Sequence, residues 1–266
     1  MSVLTSRDDS AGDVGDPNSR RIGFVHPIER LRFVARANGV EDSLLAVEAT
    51  AALMAFAEQP PALVAGCRRV LARQMLCGPL WWACARLLTA QDVWAVAQDT
   101  ITELEDDPTT AALAYALDGV DPSDGADGDS DSADLPARPR LFRARAIGRS
   151  QVVAEPIGDG PDAAWPDATR PDAAWPDATR RGETSRSPAT DGARPAWLVT
   201  PVGVHLSDPM WDALRENLKR SDPDSGVEFS DLSRYSHFVG PFGLLPMVAL
   251  DAPDCPVAAE LFRLEG

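Results

Sequence analysis

Apolar residues recur every three or four positions between residues 26 and 117, the spacing that places them on one face of an α-helix. Short breaks rich in proline, glycine and acidic residues divide this stretch into six segments. The pattern therefore predicts six helices, which start at Pro27, Asp42 or Ser43, Pro60-Pro61, Gly78-Pro79, after a cap at Thr89, and at Asp107-Pro108. Short connections favour antiparallel helices that pack side by side. We therefore expect these six helices to form one helical domain at 25–117.

The fourth segment, residues 78–88, is apolar nearly all round, which predicts a position at the centre of the helical domain. It contains Trp81 and Trp82. Exposed aromatic side chains often mark binding surfaces, whereas buried ones contribute a large apolar area to a core. We favour the core interpretation.

The composition changes abruptly after Leu117. Residues 118–134 contain seven aspartates, and Val120 is their one larger apolar residue. Ordering one residue costs about 1–2 kcal/mol, which burial of a single valine barely offsets, so this tract is predicted to be flexible.

Five arginines follow and are assigned to the same linker, 118–150. We interpret them as solvated charges. The alternative is an anionic ligand or partner, with Arg143, Arg145 and Arg149 as the binding residues.

A second polar tract lies at 158–193, inside a region, 151–266, that is predicted to be a reduced α/β unit. Residues 161–170 and 171–180 are identical ten-residue copies, PDAAWPDATR. Proline at every fifth position excludes a helix or a central strand, and two copies of ten are too few for a stacked repeat fold. The repeat is therefore predicted to be a loop.

Outside that loop, the predicted elements of the C-terminal region are short. Residues 151–154 and 196–200 have the composition of strands. Asp208-Pro209 starts a helix, Ser230 is a candidate cap for another, and residues 254–262 predict a short helix or a docking tail. Residues 1–24 are acidic and lack an apolar run, so we expect a disordered tail and not a signal peptide.

Charge and composition narrow the range of partners. The chain has 41 acidic and 25 basic side chains, a net charge of −16, which argues against nucleic acid because phosphate binding needs lysine and arginine. No run approaches the ~18 apolar residues that span a bilayer, so we expect a soluble, cytoplasmic protein without a membrane partner.

Neither a metal nor a cofactor is predicted. The four cysteines, at 67, 77, 84 and 255, lack the spacing of a zinc site and are expected to be free and buried, with Cys77 as the one candidate for a reactive thiol. The chain also contains no glycine-rich phosphate loop.

Two parts of the chain resemble a known family. HPIERLRFVAR at 26–36 and GPLWW at 78–82 resemble the N-terminal helical domain of bacterial proteins related to translation initiation factor 2B subunits. PAWLVTPVG at 195–203 and DCPV at 254–257 are similar to the end of those proteins. The resemblance implies a helical domain followed by a Rossmann-like α/β domain, usually dimeric. The same superfamily includes isomerases of methylthioribose-1-phosphate and ribose-1,5-bisphosphate.

The resemblance also implies where catalytic residues would lie. Glu155, beside Pro156, occupies the place of the isomerases' catalytic aspartate, but nothing matches their cysteine-containing loop. A linker stands where the first βα units of a Rossmann domain would be. We therefore expect a mainly α protein, a helical bundle followed by a reduced Rossmann-like α/β remnant with long disordered linkers.

The expected function is regulation or protein–protein interaction without catalysis, with a protein partner or a homodimer. The alternative is a sugar-phosphate-binding protein or an aldose–ketose phosphate isomerase that uses Glu155.

Overall fold

Prolines and acidic caps set the starts of most helices. The computed structural model describes residues 26–37, 39–118, 139–157, 195–250 and 255–264. Its helices are α1 (Pro27–Arg36), α2 (Asp42–Leu53), α3 (Pro60–Leu71), α4 (Gly78–Thr89), α5 (Val93–Glu105), α6 (Thr109–Asp118) and α7 (Asp208–Ser221). The predicted tail at 1–24, the acidic tract and the repeat lie outside the described residues, except for Asp118, which ends α6.

Two helix boundaries differ from the predicted ones. Thr89 does not cap α5 but ends α4, where its hydroxyl donates to the Ala85 carbonyl oxygen at 2.8 Å. The cap is Asp92, whose carboxylate accepts from the Ala95 amide at 3.0 Å. The apolar spacing predicts that α2 runs to Gln59, but the helix ends at Leu53 and continues as a 3-10 turn, Met54–Phe56.

Six strands form one mixed sheet: β1 (Arg140–Ile147), β2 (Gln151–Pro156), β3 (Ala196–Val199), β4 (Ser230–Asp231), β5 (His237–Gly240) and β6 (Gly243–Pro246). The order across the sheet is β4-β2-β1-β3-β5-β6. Strand β3 is parallel to both β1 and β5, and the other neighbours are antiparallel. Together with the helices, this sheet makes an α/β fold.

Five arginines are predicted from the sequence to lie in a linker at 118–150. This is wrong for Arg140, Arg143 and Arg145, which lie in strand β1. In Arg140–Ile147 the arginines alternate with apolar residues, and Phe142, Ala144 and Ala146 are buried. Alternation of this kind is the mark of a strand, and the high charge concealed it. The sheet therefore begins before residue 151, at Arg140.

The helix predicted from Ser230 is also wrong. Ser230–Asp231 is strand β4, a 3-10 turn follows at Leu232–Arg234, and His237–Gly240 is β5. Asp231 caps the turn through the Ser233 amide at 2.8 Å. A local side-chain bond of this type competes with helix formation.

The helices and the sheet share their main core. Trp81 and Trp82 are 0 % and 1 % exposed, so the core interpretation of this pair is confirmed. The cluster that contains them extends to Ala146 and Val153 of the sheet and to Trp211 of α7. This cluster therefore crosses the boundary predicted after residue 117, whereas a second cluster, around Phe142 and Leu198, contains only buried residues that follow that boundary.

The C-terminal tail belongs to the same core. Its 3-10 turn, Ala259–Leu261, buries Leu261 completely. The buried side chain of Asn217 accepts from the Leu264 amide at 3.1 Å and donates to the Phe262 carbonyl at 3.3 Å. The tail is thus held against α7 by hydrogen bonds as well as apolar contacts.

Candidate functional site

Arg145 joins the helical layer to the sheet. It lies at an irregularity of β1, where the pairing with β2 shifts between Ala144 and Ala146. Its Nε and Nη2 donate to the two carboxylate oxygens of Asp42 at 3.0 and 2.8 Å, and its Nη1 donates to Glu155 at 3.0 Å. A bidentate pair of this kind is both strong and directional. Arg145 therefore fixes the start of α2 over β1 and β2.

The charge of Arg145 is stabilised by these neighbours. Burial by itself lowers the pKa of Arg145, but Asp42 and Glu155 outweigh it and raise the pKa above its ordinary value. The side chains of Arg145 and Asp42 are 24 % and 14 % exposed, so water screens this pair only partly. The guanidinium is thus a permanent positive charge between the two layers.

A cavity of about 270 Å³ opens beside this junction. It lies between the start of α2, the connection from α5 to α6, and the sheet. The residues around it include Glu41, Ser43, Leu44, Val47, Leu104, Glu105, Asp107, Thr109, Thr110, Arg143, Val199 and Pro201. Arg143 and Val199 are direct neighbours across the parallel pair β1–β3. The cavity is therefore at the carboxyl end of β3, the edge where ligands usually bind in α/β sheets.

Carboxylates outnumber cations around the cavity. Among the described residues that line it, Glu41, Glu105 and Asp107 carry carboxylates and Arg143 carries a guanidinium. Burial lowers the pKa of Arg143, and the carboxylates of Glu41, Asp42 and Glu155 oppose this effect. The lining is therefore acidic overall.

Asp107 holds the cavity together instead of facing into it as a free acid. One oxygen accepts from the amide and the hydroxyl of Thr109 at 2.9 and 2.6 Å, which starts α6. The other accepts from the Val202 amide at 2.8 Å. Asp107 thereby ties α6 to the loop after β3.

The structure brings three of the four predicted site residues together: Glu155 is the antiparallel partner of Arg143 and accepts from Arg145 at 3.0 Å. Arg143 lines the cavity, Arg145 is held by two carboxylates, and Arg149 is 85 % exposed in the β1–β2 turn, 3.8 Å from Asp208. Glu155 is 49 % exposed, is paired with Arg145, and is not among the described residues that line the cavity. Arg143, Arg145 and Glu155 are therefore neighbours on β1 and β2, and of these three Arg143 lines the cavity.

Sequence reasoning did not identify the acidic residues of the cavity. Asp107 was recognised only as a helix start, because its second partner, Val202, is 95 residues away. Glu41 and Glu105 both line the cavity because α2 packs against α5. No local motif could have paired them.

The prediction that the cysteines are buried and form no disulfide is confirmed for all four. Burial raises the pKa of Cys77 and of Cys84 well above the usual value. The Cys77 thiol donates to the Asp42 carbonyl oxygen at 3.4 Å. A reactive thiol needs a lowered pKa, so the candidate reactivity of Cys77 has no support here.

Within the described ranges, no three or more His, Cys, Asp or Glu side chains are grouped as a metal site would require. The helices of those ranges also lack the length and apolar character needed to cross a bilayer. No family model, curated protein or solved structure matches the chain. The resemblance to proteins related to initiation factor 2B subunits stays a prediction from the segments quoted above.

Proposed function

We propose that this protein is a non-catalytic regulatory protein that acts by contact with another protein chain. In this proposal its helices and sheet are a helical bundle and a Rossmann-like remnant, related to the initiation factor 2B family. The observation that carries the proposal is the ion-pair network of Asp42, Arg145 and Glu155. The residue at the position that the resemblance assigns to catalysis, Glu155, is paired with the arginine that binds α2 to the sheet.

Proton transfer requires an acid or base within hydrogen-bond reach of the substrate. Glu155 would have to leave Arg145 to reach a sugar in the cavity, which would leave the charge of Arg145 less well compensated. A carboxylate with this partner is better suited to structure than to catalysis.

The topology is consistent with a reduced Rossmann-like unit. Strands β3 and β5 are parallel neighbours, and the chain between them contains α7 and then β4, which pairs with β2. The connection is therefore a βαβ-type crossover with β4 inserted after its helix. The hairpin of β1 and β2 and the antiparallel β6 replace the further crossovers of a full unit. The remnant in this proposal is that single crossover.

Exposed aromatic side chains support contact with a partner. Phe33 on α1, Trp94 on α5 and Tyr115 on α6 are 70 %, 53 % and 83 % exposed. Aromatic residues are enriched among those that dominate binding energy. The net charge of −16 favours a partner with a basic surface. A homodimer is the second form that such contact could take.

An isomerase assay tests the proposal. The full chain is incubated with ribose-1,5-bisphosphate and with methylthioribose-1-phosphate, and the products are resolved by NMR. We expect no conversion above that in buffer, for the wild type and for Glu155→Gln alike. Conversion by the wild type that Glu155→Gln abolishes would overturn the proposal.

Sugar-phosphate binding is the second candidate, because Arg143 lines a cavity at the carboxyl end of β3. A ligand that binds only the folded state at a concentration of 100 times its Kd adds about 2.7 kcal/mol of stability. Millimolar ribose-5-phosphate would then raise the melting temperature of the wild type, and less so that of Arg143→Gln. The absence of any shift would remove this candidate.

A further inference from the structure

We infer that the cavity between α2, the α5–α6 connection and the sheet receives a basic side chain, arginine or lysine, of a protein partner. This inference rests on the proposed function and specifies the chemistry of the contact. Three properties of the cavity support it: its volume, its charge and its apolar walls.

The volume suits a side chain. Pockets for drug-sized ligands and cofactors measure about 300–1,000 Å³, and this one measures about 270 Å³. An arginine or lysine that projects from a partner's backbone needs less enclosed space than a whole cofactor. The partner's main chain would stay outside the mouth of the cavity.

The charge of the lining favours a cation. Glu105 is the last residue of α5, and the last turn of that helix carries no basic side chain. A helix C-terminus has a partial negative charge. A cation near Glu105 is therefore attracted both by the carboxylate and by the end of the helix. Within the described part of the chain, no ion pair involves Glu105, whereas Glu103 on the same turn is paired with Arg86 at 2.7 Å.

The positive charge already present does not reverse this preference. The carboxylates of Glu41, Asp42 and Glu155 stabilise the charge of Arg143, whereas the charge of Arg145 opposes it. Arg145 itself is bound to two of those carboxylates. A phosphate group would meet Glu41 and Glu105 at the rim before it reached Arg143, so the lining disfavours an anion.

The apolar walls match the aliphatic part of a basic side chain. Leu44 is 52 % exposed, and Val47, Leu104 and Val199 also line the cavity. Lysine and arginine pack their methylene groups along apolar surface while the charged end stays with polar partners. A partner's side chain would cover Leu44 and place its charge near Glu41 and Glu105.

The test uses the full chain and the peptide acetyl-Gly-Arg-Gly-amide, followed by NMR titration of the backbone amides. A second peptide with citrulline in place of arginine has nearly the same shape and no charge. We expect saturable, millimolar binding of the arginine peptide that moves the amide signals of Leu44, Leu104 and Thr110, and no saturation with the citrulline peptide.

Variants of the rim give the quantitative check. Glu41→Gln and Glu105→Gln each remove one carboxylate and should weaken the arginine peptide about two- to fivefold, the range of exposed charge pairs. Glu58→Gln, an exposed carboxylate outside the cavity, is the matched control and should leave the Kd unchanged. Equal binding of both peptides, unchanged Kd in both rim variants, or the absence of shifts at the cavity would each overturn the inference.

Arg143→Gln separates this inference from sugar-phosphate binding. If the cavity binds a cation, removal of the Arg143 charge should tighten the binding of the arginine peptide. If it binds a phosphate, the same change should weaken the binding of ribose-5-phosphate. Binding of ribose-5-phosphate to the wild type without binding of the peptide would overturn the inference. Failure of the peptide titration with no isomerase activity would leave the proposed function standing, because contact could then occur elsewhere.

Discussion

Gly78 is a position where packing leaves no room for a side chain. A Cβ at this residue would lie 2.4 Å from the carbonyl oxygen of Arg145, 3.1 Å from the Cα of Val204 and 3.2 Å from the Cα of Ala146. All three atoms belong to backbone, which cannot turn aside as a side chain can. Glycine at the start of α4 therefore lets this helix approach β1 closely.

We predict that Gly78→Ala lowers the free energy of unfolding by about 1–3 kcal/mol, the cost of overpacking a core. Urea denaturation measures the change. Gly66→Ala in α3 is the control, because its Cβ would meet only the side chains of Leu53 and Leu31 and because alanine favours a helix. An equal loss in both variants would show that α4 is not held against β1 as described.

The buried thiols predict a loss of stability at alkaline pH. Burial raises the pKa of Cys77 and Cys84 in the folded protein, whereas an unfolded cysteine titrates near ~8.5. A raised folded pKa means that the folded state holds more protons, so stability is complete below ~8.5 and falls as the pH rises above that value. We expect the melting temperature to decrease between about pH 8.5 and 10. The decrease should be smaller in Cys84→Ala, and an identical pH profile would contradict this assignment.

At the scale of elements, the contact between α2 and the sheet depends more on Asp42 than on Glu155. Asp42 makes two bonds to Arg145 and its side chain is 14 % exposed, whereas Glu155 makes one and is 49 % exposed. We predict that Asp42→Asn costs about 1–3 kcal/mol of stability. Glu155→Gln should cost less than about 1 kcal/mol. Thermal denaturation of the two variants measures the order, and a larger loss for Glu155→Gln would refute it.

The helices were predictable because their signals are local. Proline at the start of α1, α3 and α4 and an apolar residue every three or four positions are visible without any partner. Strand β1 was missed because its arginines suggested solvent, although their alternation with buried apolar residues is the signal of a strand. Ser230 was misassigned because a residue that caps helices also occurs at strand ends and turns.

The candidate site depends on contacts that sequence does not display. Arg143 and Val199 are neighbours only after β1 and β3 pair, and Asp107 meets Val202 only after α6 lies beside the loop that follows β3. The sequence identified Arg143 as a charged candidate but not the acidic setting around it. That setting is the basis of the inference that the cavity receives a cation.

At the scale of the whole molecule, the described helices and the sheet share one buried cluster. Trp81 and Trp82 of α4 share a buried cluster with Val153 of β2, Trp211 of α7 and Leu261 of the tail. The sequence predicted a helical domain with its own core, because periodicity shows which face of a helix is buried but not what covers it. Here the sheet, α7 and the tail complete the core that the helices begin.

Native-state amide hydrogen exchange of the full chain tests this claim most directly. It reports the free energy of opening of α4 and of β1, whose Ala146 lies in the shared cluster, in the same sample. A shared core predicts that the slowest amides of the two elements open with free energies within ~1 kcal/mol of each other, in one global unfolding. Opening of β1 at a free energy several kcal/mol lower, while α4 stays protected, would show that the helices fold without the sheet and would contradict the account.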